Sequence, residues 1–193
     1  MKELLANFRI HVDITPEEAN RFIELAPPTT VKKNAYIVRQ KEQASPLILV
    51  NNGCLMTYYQ DPNKNKQVMQ FSQMGWWTGD FLSIAENTLS KYSIRAMENS
   101  SYCSLDNATY ERVCAEIPIL ETYFRRLFQN AIASHQERII RNISFSAEER
   151  YETFIKSYPK IEQMVAQKYI ASYLGMSPEF LSKIKARRYA NKR

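Results

Sequence analysis

The feature that most constrains this sequence lies near its C-terminus, around Gly175. Apolar residues at helical spacing precede and follow this glycine, which predicts two helices separated by a sharp turn. The residue after a helix often takes a positive φ, a conformation that glycine adopts without steric cost. Ser177 can cap the second helix, and Pro178 suits its first position, where the backbone needs no N–H. These features are typical of a helix-turn-helix.

A helix-turn-helix predicts DNA binding because its second helix can enter the major groove. Ile170, Leu174 and Leu181 belong to the apolar set that should hold the two helices together. The predicted DNA-binding residues are those at the start of the first helix and those left outward on the second: Gln167, Lys168, Ser177, Glu179, Ser182, Lys183, Lys185, Arg187 and Arg188.

The distribution of charge supports DNA binding independently. The chain has 26 Lys and Arg residues against 20 Asp and Glu, a formal net charge of +6. Residues 160–193 hold eight basic residues, Lys192 and Arg193 among them, and two acidic ones, so the whole excess lies there. Contacts to DNA phosphates need such an excess. The alternative is a ligand-binding module whose C-terminal helices dock a protein partner, and it leaves the concentrated charge unexplained.

Composition excludes several other classes of protein. No apolar run approaches the roughly 20 residues that cross a bilayer, and the N-terminus lacks a signal-peptide core, so we expect a cytoplasmic protein without a membrane partner. Cys54, Cys103 and Cys114 have no Cys-x-x-Cys spacing, and the two histidines, His11 and His135, are far apart. We therefore predict no metal site, no cofactor and no cupin-like enzyme, which would need clustered histidines in the β-rich region.

The order of patterns along the chain predicts an α+β fold. A capping box at Thr15 starts a helix, and short β-rich runs follow between about residues 30 and 105. The predicted strands are Ala35–Arg39, Leu47–Val50, Leu55–Tyr59, Gln67–Phe71, Ser93–Met97 and Tyr102–Leu105. Asn51-Asn-Gly53 predicts a tight hairpin, and residues 61–66 predict a looser one. Short strands in close succession favour an antiparallel barrel or jelly roll.

Helical patterns return after the strands. Asn107–Glu116 is predicted as a short helix, and a longer one should run from Pro118 to about Ile143. Its two apolar faces indicate a dimer seam, with an ordinary buried helix as the alternative. A second capping box at Ser146 starts the next helix. The predicted domains are a β-roll over residues 1–117, a dimerisation helix over 118–145 and a helix-turn-helix domain over 146–193.

Over nearly its whole length the sequence resembles the cyclic-AMP receptor protein/FNR (Crp/Fnr) superfamily of bacterial transcription regulators. Gly75-Trp-Trp-Thr-Gly-Asp-Phe81 is similar to the turn that opens the family's cyclic-nucleotide pocket, and Tyr92–Met97 is similar to the strand that follows the pocket. The compact form and the Ser146-Ala-Glu-Glu-Arg-Tyr segment resemble Crp-like regulators of the Bacteroidetes group. The resemblance implies an N-terminal antiparallel β-roll, a homodimer on a palindromic operator in double-stranded DNA, and RNA polymerase as a partner.

The resemblance also implies an effector pocket. Its matching residues are Gly79, Asp80, Ser90, Lys91, His135 and Gln136. Cyclic-AMP binders hold the cyclic phosphate with an Arg-Ser pair, but the corresponding positions here are Ser90 and Lys91, which lack the bidentate guanidinium. We therefore expect an unidentified small effector, or none, in place of cyclic AMP. His135 is expected either to meet that effector or to lie unused in the dimer seam.

The resemblance divides the DNA-binding residues into two groups. Glu179, Ser182 and Lys183 should contact bases, with Glu179 accepting a hydrogen bond from cytosine and Lys183 donating one to guanine. The remaining basic residues of the second helix, together with the start of the first, should contact phosphates and position the domain without sensing sequence.

Overall fold

Two antiparallel four-stranded sheets form a β-roll in the computed structural model, which describes residues 2–190. The strands are β1 (Thr29–Val31), β2 (Tyr36–Val38), β3 (Leu47–Asn52), β4 (Cys54–Gln60), β5 (Lys66–Gln73), β6 (Trp77–Thr78), β7 (Ser93–Ala96) and β8 (Ser100–Leu105). The first sheet has the order β1-β8-β3-β6 and the second the order β2-β7-β4-β5. All six predicted strands are confirmed. The sequence missed β1 and β6, which have only three and two residues and therefore no alternation to detect.

The predicted tight hairpin at Asn51-Asn-Gly53 is wrong. Strands β3 and β4 flank Gly53 but belong to different sheets, so the chain crosses the corner of the roll there. Gly53 has a φ of +89°, and a Cβ built on it would lie 2.2 Å from Ser100 Oγ, so the crossing itself requires glycine. The looser hairpin is confirmed, because β4 and β5 pair antiparallel on either side of residues 61–65.

Helices precede, interrupt and follow the roll. They are α1 (Lys2–Arg9), α2 (Pro16–Leu25), α3 (Phe81–Glu86), α4 (Asn107–Glu116), α5 (Ile119–Ser144), α6 (Ala147–Ser157), α7 (Ile161–Met164), α8 (Gln167–Tyr173) and α9 (Pro178–Ala190). The capping boxes at Thr15 and Ser146 are confirmed by reciprocal hydrogen bonds with Glu18 and Glu149. Helices α1, α3 and α7 are not predicted from the sequence. The latter two have six and four residues, too few to show a helical period.

The long helix α5 has two different halves. Its first half is anchored in the core, where Leu120, Tyr123 and Phe124 are buried. The Tyr123 hydroxyl accepts a hydrogen bond from Trp77 Nε1 and donates one to Asn7 Oδ1, each at 2.7 Å. Its second half projects a set of isoleucines that remain 52 to 78% exposed: Ile132, Ile139, Ile140 and Ile143.

The C-terminal helices pack on the face of the second sheet that is turned away from the first. Side chains alternate along β4, so Leu55 enters the core between the sheets while Met56 and Tyr58 join a cluster with helices α6 to α9. Phe71 of β5 is central to this second cluster, with ring centres 6.1 Å from Phe154 and 5.5 Å from Tyr173. The α+β fold with a β-roll, a long helix and C-terminal helices is thereby confirmed.

Candidate nucleic-acid interface and effector pocket

The turn between α8 and α9 has the geometry that the sequence predicts. Gly175 has a φ of +66°, and the next N–H, that of Met176, donates to the Ala171 carbonyl at 3.0 Å. Ser177 caps α9 by accepting a hydrogen bond from the Phe180 N–H at 3.1 Å. The apolar residues of the predicted set are buried between the two helices: Ile170, Leu174, Leu181 and Ile184. Met176 is partly buried beside them. The helix-turn-helix is therefore a packed unit.

Several of the predicted DNA-binding residues share the exposed surface of this unit. Lys168, Ser177, Glu179, Ser182 and Lys183 are all exposed. The start of α8 and the face of α9 are also joined directly, because Gln167 Nε2 donates to Ser182 Oγ at 2.6 Å and to the Pro178 carbonyl at 3.1 Å. The pKa of Glu179 is lowered by hydrogen bonds from its own N–H and from Ser177, so its carboxylate is ionised at neutral pH.

The three basic residues farther along α9 occupy three different settings. Lys185, expected to point outward, instead forms an ion pair of 2.6 Å with Glu162 of α7, and both side chains are only 24% exposed. Arg187 is exposed and lies 3.3 Å from Glu148, in a pair that solvent screens. Arg188 lies 5.5 Å from the Tyr151 ring centre. The last two basic residues of the sequence, Lys192 and Arg193, lie outside the described residues.

Four of the predicted effector residues meet in one cluster, in which Asp80 and Ser90 are buried and the exposed Lys91 contributes its backbone N–H. Asp80 is 2% exposed, and its carboxylate accepts from the Lys91 N–H at 2.7 Å, the Ser83 N–H at 3.2 Å and the Ser90 hydroxyl at 3.3 Å. A Cβ added at Gly79 would lie 3.0 Å from the Pro46 carbonyl oxygen, closer than most such contacts, so the packing here favours glycine. The Ser90 hydroxyl and the backbone N–H of Lys91 thus already bond to an anion of the protein itself.

Comparisons with known proteins agree with this architecture. Residues 28–116 match the family model of the cyclic nucleotide-binding domain. The transcriptional activator protein Anr of Pseudomonas aeruginosa is 22% identical over 192 residues, which cover 93% of this chain and 78% of the relative. Over most of its length the chain is similar to the Crp/Fnr superfamily of regulators. Two solved structures share its fold. FixK2 of Bradyrhizobium japonicum matches with a TM-score of 0.72 and 14% identity, and the match covers 86% of both chains. The catabolite activator protein of Thermus thermophilus matches with a TM-score of 0.58 and 15% identity, and the match covers 93% of this chain and 85% of the other.

The remaining two predicted effector residues lie apart from Asp80. His135 and Gln136 are exposed on the second half of α5, and no hydrogen bond between described residues joins either one to the Asp80 cluster. His135 instead lines an apolar groove of about 410 Å³ together with Phe81, Tyr110 and Ile132. Desolvation by these neighbours and the charge of Arg138 lower the pKa of His135, so the neutral imidazole is favoured.

Strand β5 ties the roll to the C-terminal unit, a link that the sequence did not indicate. The Ser172 hydroxyl of α8 accepts from the Val68 N–H at 3.0 Å and donates to the Lys66 carbonyl at 2.6 Å. Arg138 of α5 donates to the carbonyls of Met69 and Val68 on the same strand. An isolated serine and an isolated arginine carry no periodic signal, so only the tertiary structure identifies these contacts.

Features of two other kinds of site are absent from the part of the chain that the structure describes. There, no three His, Cys, Asp or Glu side chains are grouped to hold a metal ion. None of the helices in that part is both long and apolar enough to span a membrane. The cysteines are buried, and burial raises the pKa of the Cys54 thiol to about 12, so this thiol stays protonated.

Proposed function

We propose that this protein regulates transcription as a homodimer that binds a palindromic operator. The observation that carries the proposal is the exposed, capped helix α9, which presents Glu179, Ser182 and Lys183 on its solvent-exposed surface. Similarity to the transcriptional activator protein Anr of Pseudomonas aeruginosa supports the same function. Because its target is chromosomal DNA, we place the protein in the cytoplasm, with RNA polymerase as a further partner and without an enzymatic activity of its own.

Different residues would contact the bases and the phosphates of the operator. Glu179 would accept from a cytosine amino group and Lys183 would donate to guanine, while Ser182 is held in place by Gln167. Lys168, Arg187 and Arg188 would contact phosphates. Lys185 has a lesser part, because its ammonium already neutralises Glu162.

The second half of α5 supports dimerisation. Its isoleucines form an exposed apolar surface on the half of α5 that projects beyond the core, and such surfaces mark interaction sites in soluble proteins. A parallel pairing of two copies of α5 would cover these side chains and the adjoining apolar groove. Two recognition helices would then enter successive major grooves about 34 Å apart.

The Asp80 cluster supports control by something other than a cyclic nucleotide. A bound cyclic phosphate would need the Lys91 N–H and the Ser90 hydroxyl, and the Asp80 carboxylate already accepts from both. A second anion at this position would be repelled by the first in a site that water does not screen. We infer that any effector binds elsewhere or displaces Asp80 from these donors.

The deciding experiment is selection of bound duplexes from a random DNA pool, followed by salt-titrated binding to the selected sequence. A palindromic consensus and an affinity that falls steeply with salt are expected. Selection that enriches no sequence, with or without cyclic AMP, would overturn the proposal in favour of C-terminal helices that dock a protein. Cyclic AMP should leave both the affinity and the thermal midpoint of unfolding unchanged.

A further inference from the structure

A basic cleft separates the β4–β5 loop from the helix-turn-helix. It has a volume of about 730 Å³ and is lined by Lys64 and Lys66 of the β-roll and by Lys168, Ser177 and Pro178 of the C-terminal unit. Helix α9 begins at this cleft, so the N–H groups of its first turn add partial positive charge. Three ammonium groups and a helix N-terminus therefore border one opening, half of it built from the β-roll.

Tyrosine rings position the cations of the cleft. The Lys66 ammonium lies 4.6 Å from the ring centre of Tyr58 and 5.9 Å from that of Tyr169. The Lys168 ammonium lies 5.2 Å from the same Tyr169 ring. Contacts of this kind hold a flexible lysine over the negative face of an aromatic ring. The two domains thus share one fixed pair of charges.

Basic side chains beside tyrosine rings continue across the second sheet, in the direction away from α9. The hydroxyls of Tyr58 and Tyr36 are 3.0 Å apart, and the Arg39 guanidinium lies 4.0 Å from the Tyr36 ring centre. Arg95 lies 5.8 Å from the same ring. The hydrogen bond from Tyr58 lowers the pKa of Tyr36, and the charges of Lys66 and Arg95 act in the same direction, against burial. We call Lys64, Lys66, Arg95 and Arg39 the basic stripe.

Most cations of the basic stripe have no carboxylate partner among the described residues. Within residues 2–190, Lys64, Lys66 and Arg95 form no ion pair. Asp61 in the same loop turns back to accept from the Asn65 N–H at 2.8 Å. Arg39 pairs with Glu42 at 3.7 Å, but both side chains are more than half exposed, and such pairs contribute little. The stripe therefore keeps its charge available for a polyanion.

We propose that DNA leaving the recognition helix passes through the cleft and onto the basic stripe, so that the β-roll holds phosphates flanking the operator. The inference rests on the proposed DNA-binding function and extends it to a second surface. DNA is favoured over an acidic protein because the stripe is continuous with Lys168 and the start of α9, the edge of the proposed DNA surface. Such contacts add affinity without base preference.

The test compares the double variant Lys64→Gln/Lys66→Gln with Arg112→Gln/Arg125→Gln. Both remove two charges per chain, but Arg112 and Arg125 lie on α4 and α5, away from the second sheet. Affinity for the selected operator is measured against salt, on duplexes with long flanks and on duplexes trimmed to the palindrome. The stripe variant should flatten the salt slope by about 3 to 4 for a dimer, at about 0.9 per lost contact, so its affinity deficit should shrink roughly tenfold for each doubling of salt.

Trimming the flanks should weaken the wild type and the α4–α5 control but leave the stripe variant unchanged. Lys64→Arg/Lys66→Arg should restore the slope, which separates lost charge from damaged folding. The inference is overturned if the stripe variant keeps the wild-type slope and flank dependence. It is likewise overturned, in favour of an acidic protein partner, if DNA binding is intact while only transcription from the operator falls. Failure of the wild type to bind any duplex would instead overturn the proposed function itself.

Discussion

The two predicted sites differ in whether their polar groups already have partners. The Asp80 carboxylate is 2% exposed and accepts hydrogen bonds from three groups of its own chain. On α9, Glu179 and Lys183 are exposed, and neither forms an ion pair with any described residue. Family motifs mark both places in the sequence with similar clarity. The difference shows that a motif locates a site, whereas the bonds made by its side chains determine whether a ligand can use it.

The strongest way to test the closed state of the Asp80 cluster is Asp80→Ala. The substitution removes the cap of α3 and leaves the partly buried Lys91 N–H without its acceptor, while the Ser90 hydroxyl can then donate only to the Tyr92 carbonyl. We expect a loss of about 3 kcal/mol in the free energy of unfolding, measured by urea denaturation. Asp80→Asn keeps one carbonyl oxygen and should lose less. A loss below about 1 kcal/mol for the alanine variant would mean that these hydrogen bonds do not hold the cluster together.

On the exposed surface of α9, Lys183→Ala should change DNA recognition and leave stability almost unchanged. This change should leave the free energy of unfolding within about 0.5 kcal/mol of wild type, because the side chain is exposed. It should reduce discrimination at one base pair per half-site by about 1 to 3 kcal/mol, measured by competition between operator variants. Equal weakening on every sequence would assign Lys183 to phosphate and contradict its role in base readout.

Most of the fold could be predicted because its signals are local. Capping boxes at Thr15 and Ser146 and the glycine turn at Gly175 each depend on a few neighbouring residues, and each is confirmed. The hairpin at Gly53 failed because a positive φ suits a sheet crossing as well as a hairpin. Pairing between strands is a long-range choice, and burial on both sides of β3 and β4 removed the alternation that would have separated the two cases.

The sites were less predictable than the fold for the same reason. The sequence identified Asp80 and Ser90 as neighbours through the family motif, but it gave no sign that they bond to each other. It assigned Lys185 to DNA from helical spacing alone, whereas the partner that holds this side chain, Glu162, lies in the short helix α7 that the pattern did not reveal. Lys66 was assigned to a turn, and its place beside Lys168 depends on how β5 packs on α8.

The pairing of Lys185 with Glu162 sharpens the comparison within α9 itself. Lys185→Ala should lower the free energy of unfolding by about 1 kcal/mol, because it leaves a partly buried carboxylate without its cation. Arg187→Ala should not, since its partner Glu148 is exposed. Arg187→Ala should instead weaken binding to all sequences alike and flatten the salt slope by about 0.9 per lost contact. Identical effects of the two changes would mean that Lys185 also serves as a phosphate ligand.

The smallest expected effect concerns His135. Its side chain is exposed in the single chain, like that of Lys183, but it also lines the apolar groove. Its pKa is lowered by desolvation and by Arg138, so the folded protein binds a proton less readily than the unfolded chain. The resulting stability is fully present above the ordinary histidine pKa of about 6.5 and lost as pH falls below it. Because the side chain is exposed in the single chain, this loss should be only a few tenths of a kcal/mol between pH 7.5 and pH 5.5.

His135→Gln should remove this part of the pH dependence of the free energy of unfolding, measured by urea denaturation at the two pH values. A variant that keeps the full pH dependence would exclude His135 as its source. In the dimer the helix seam would desolvate the imidazole further, so the same comparison repeated on dimer dissociation should give a larger difference than on unfolding of the single chain.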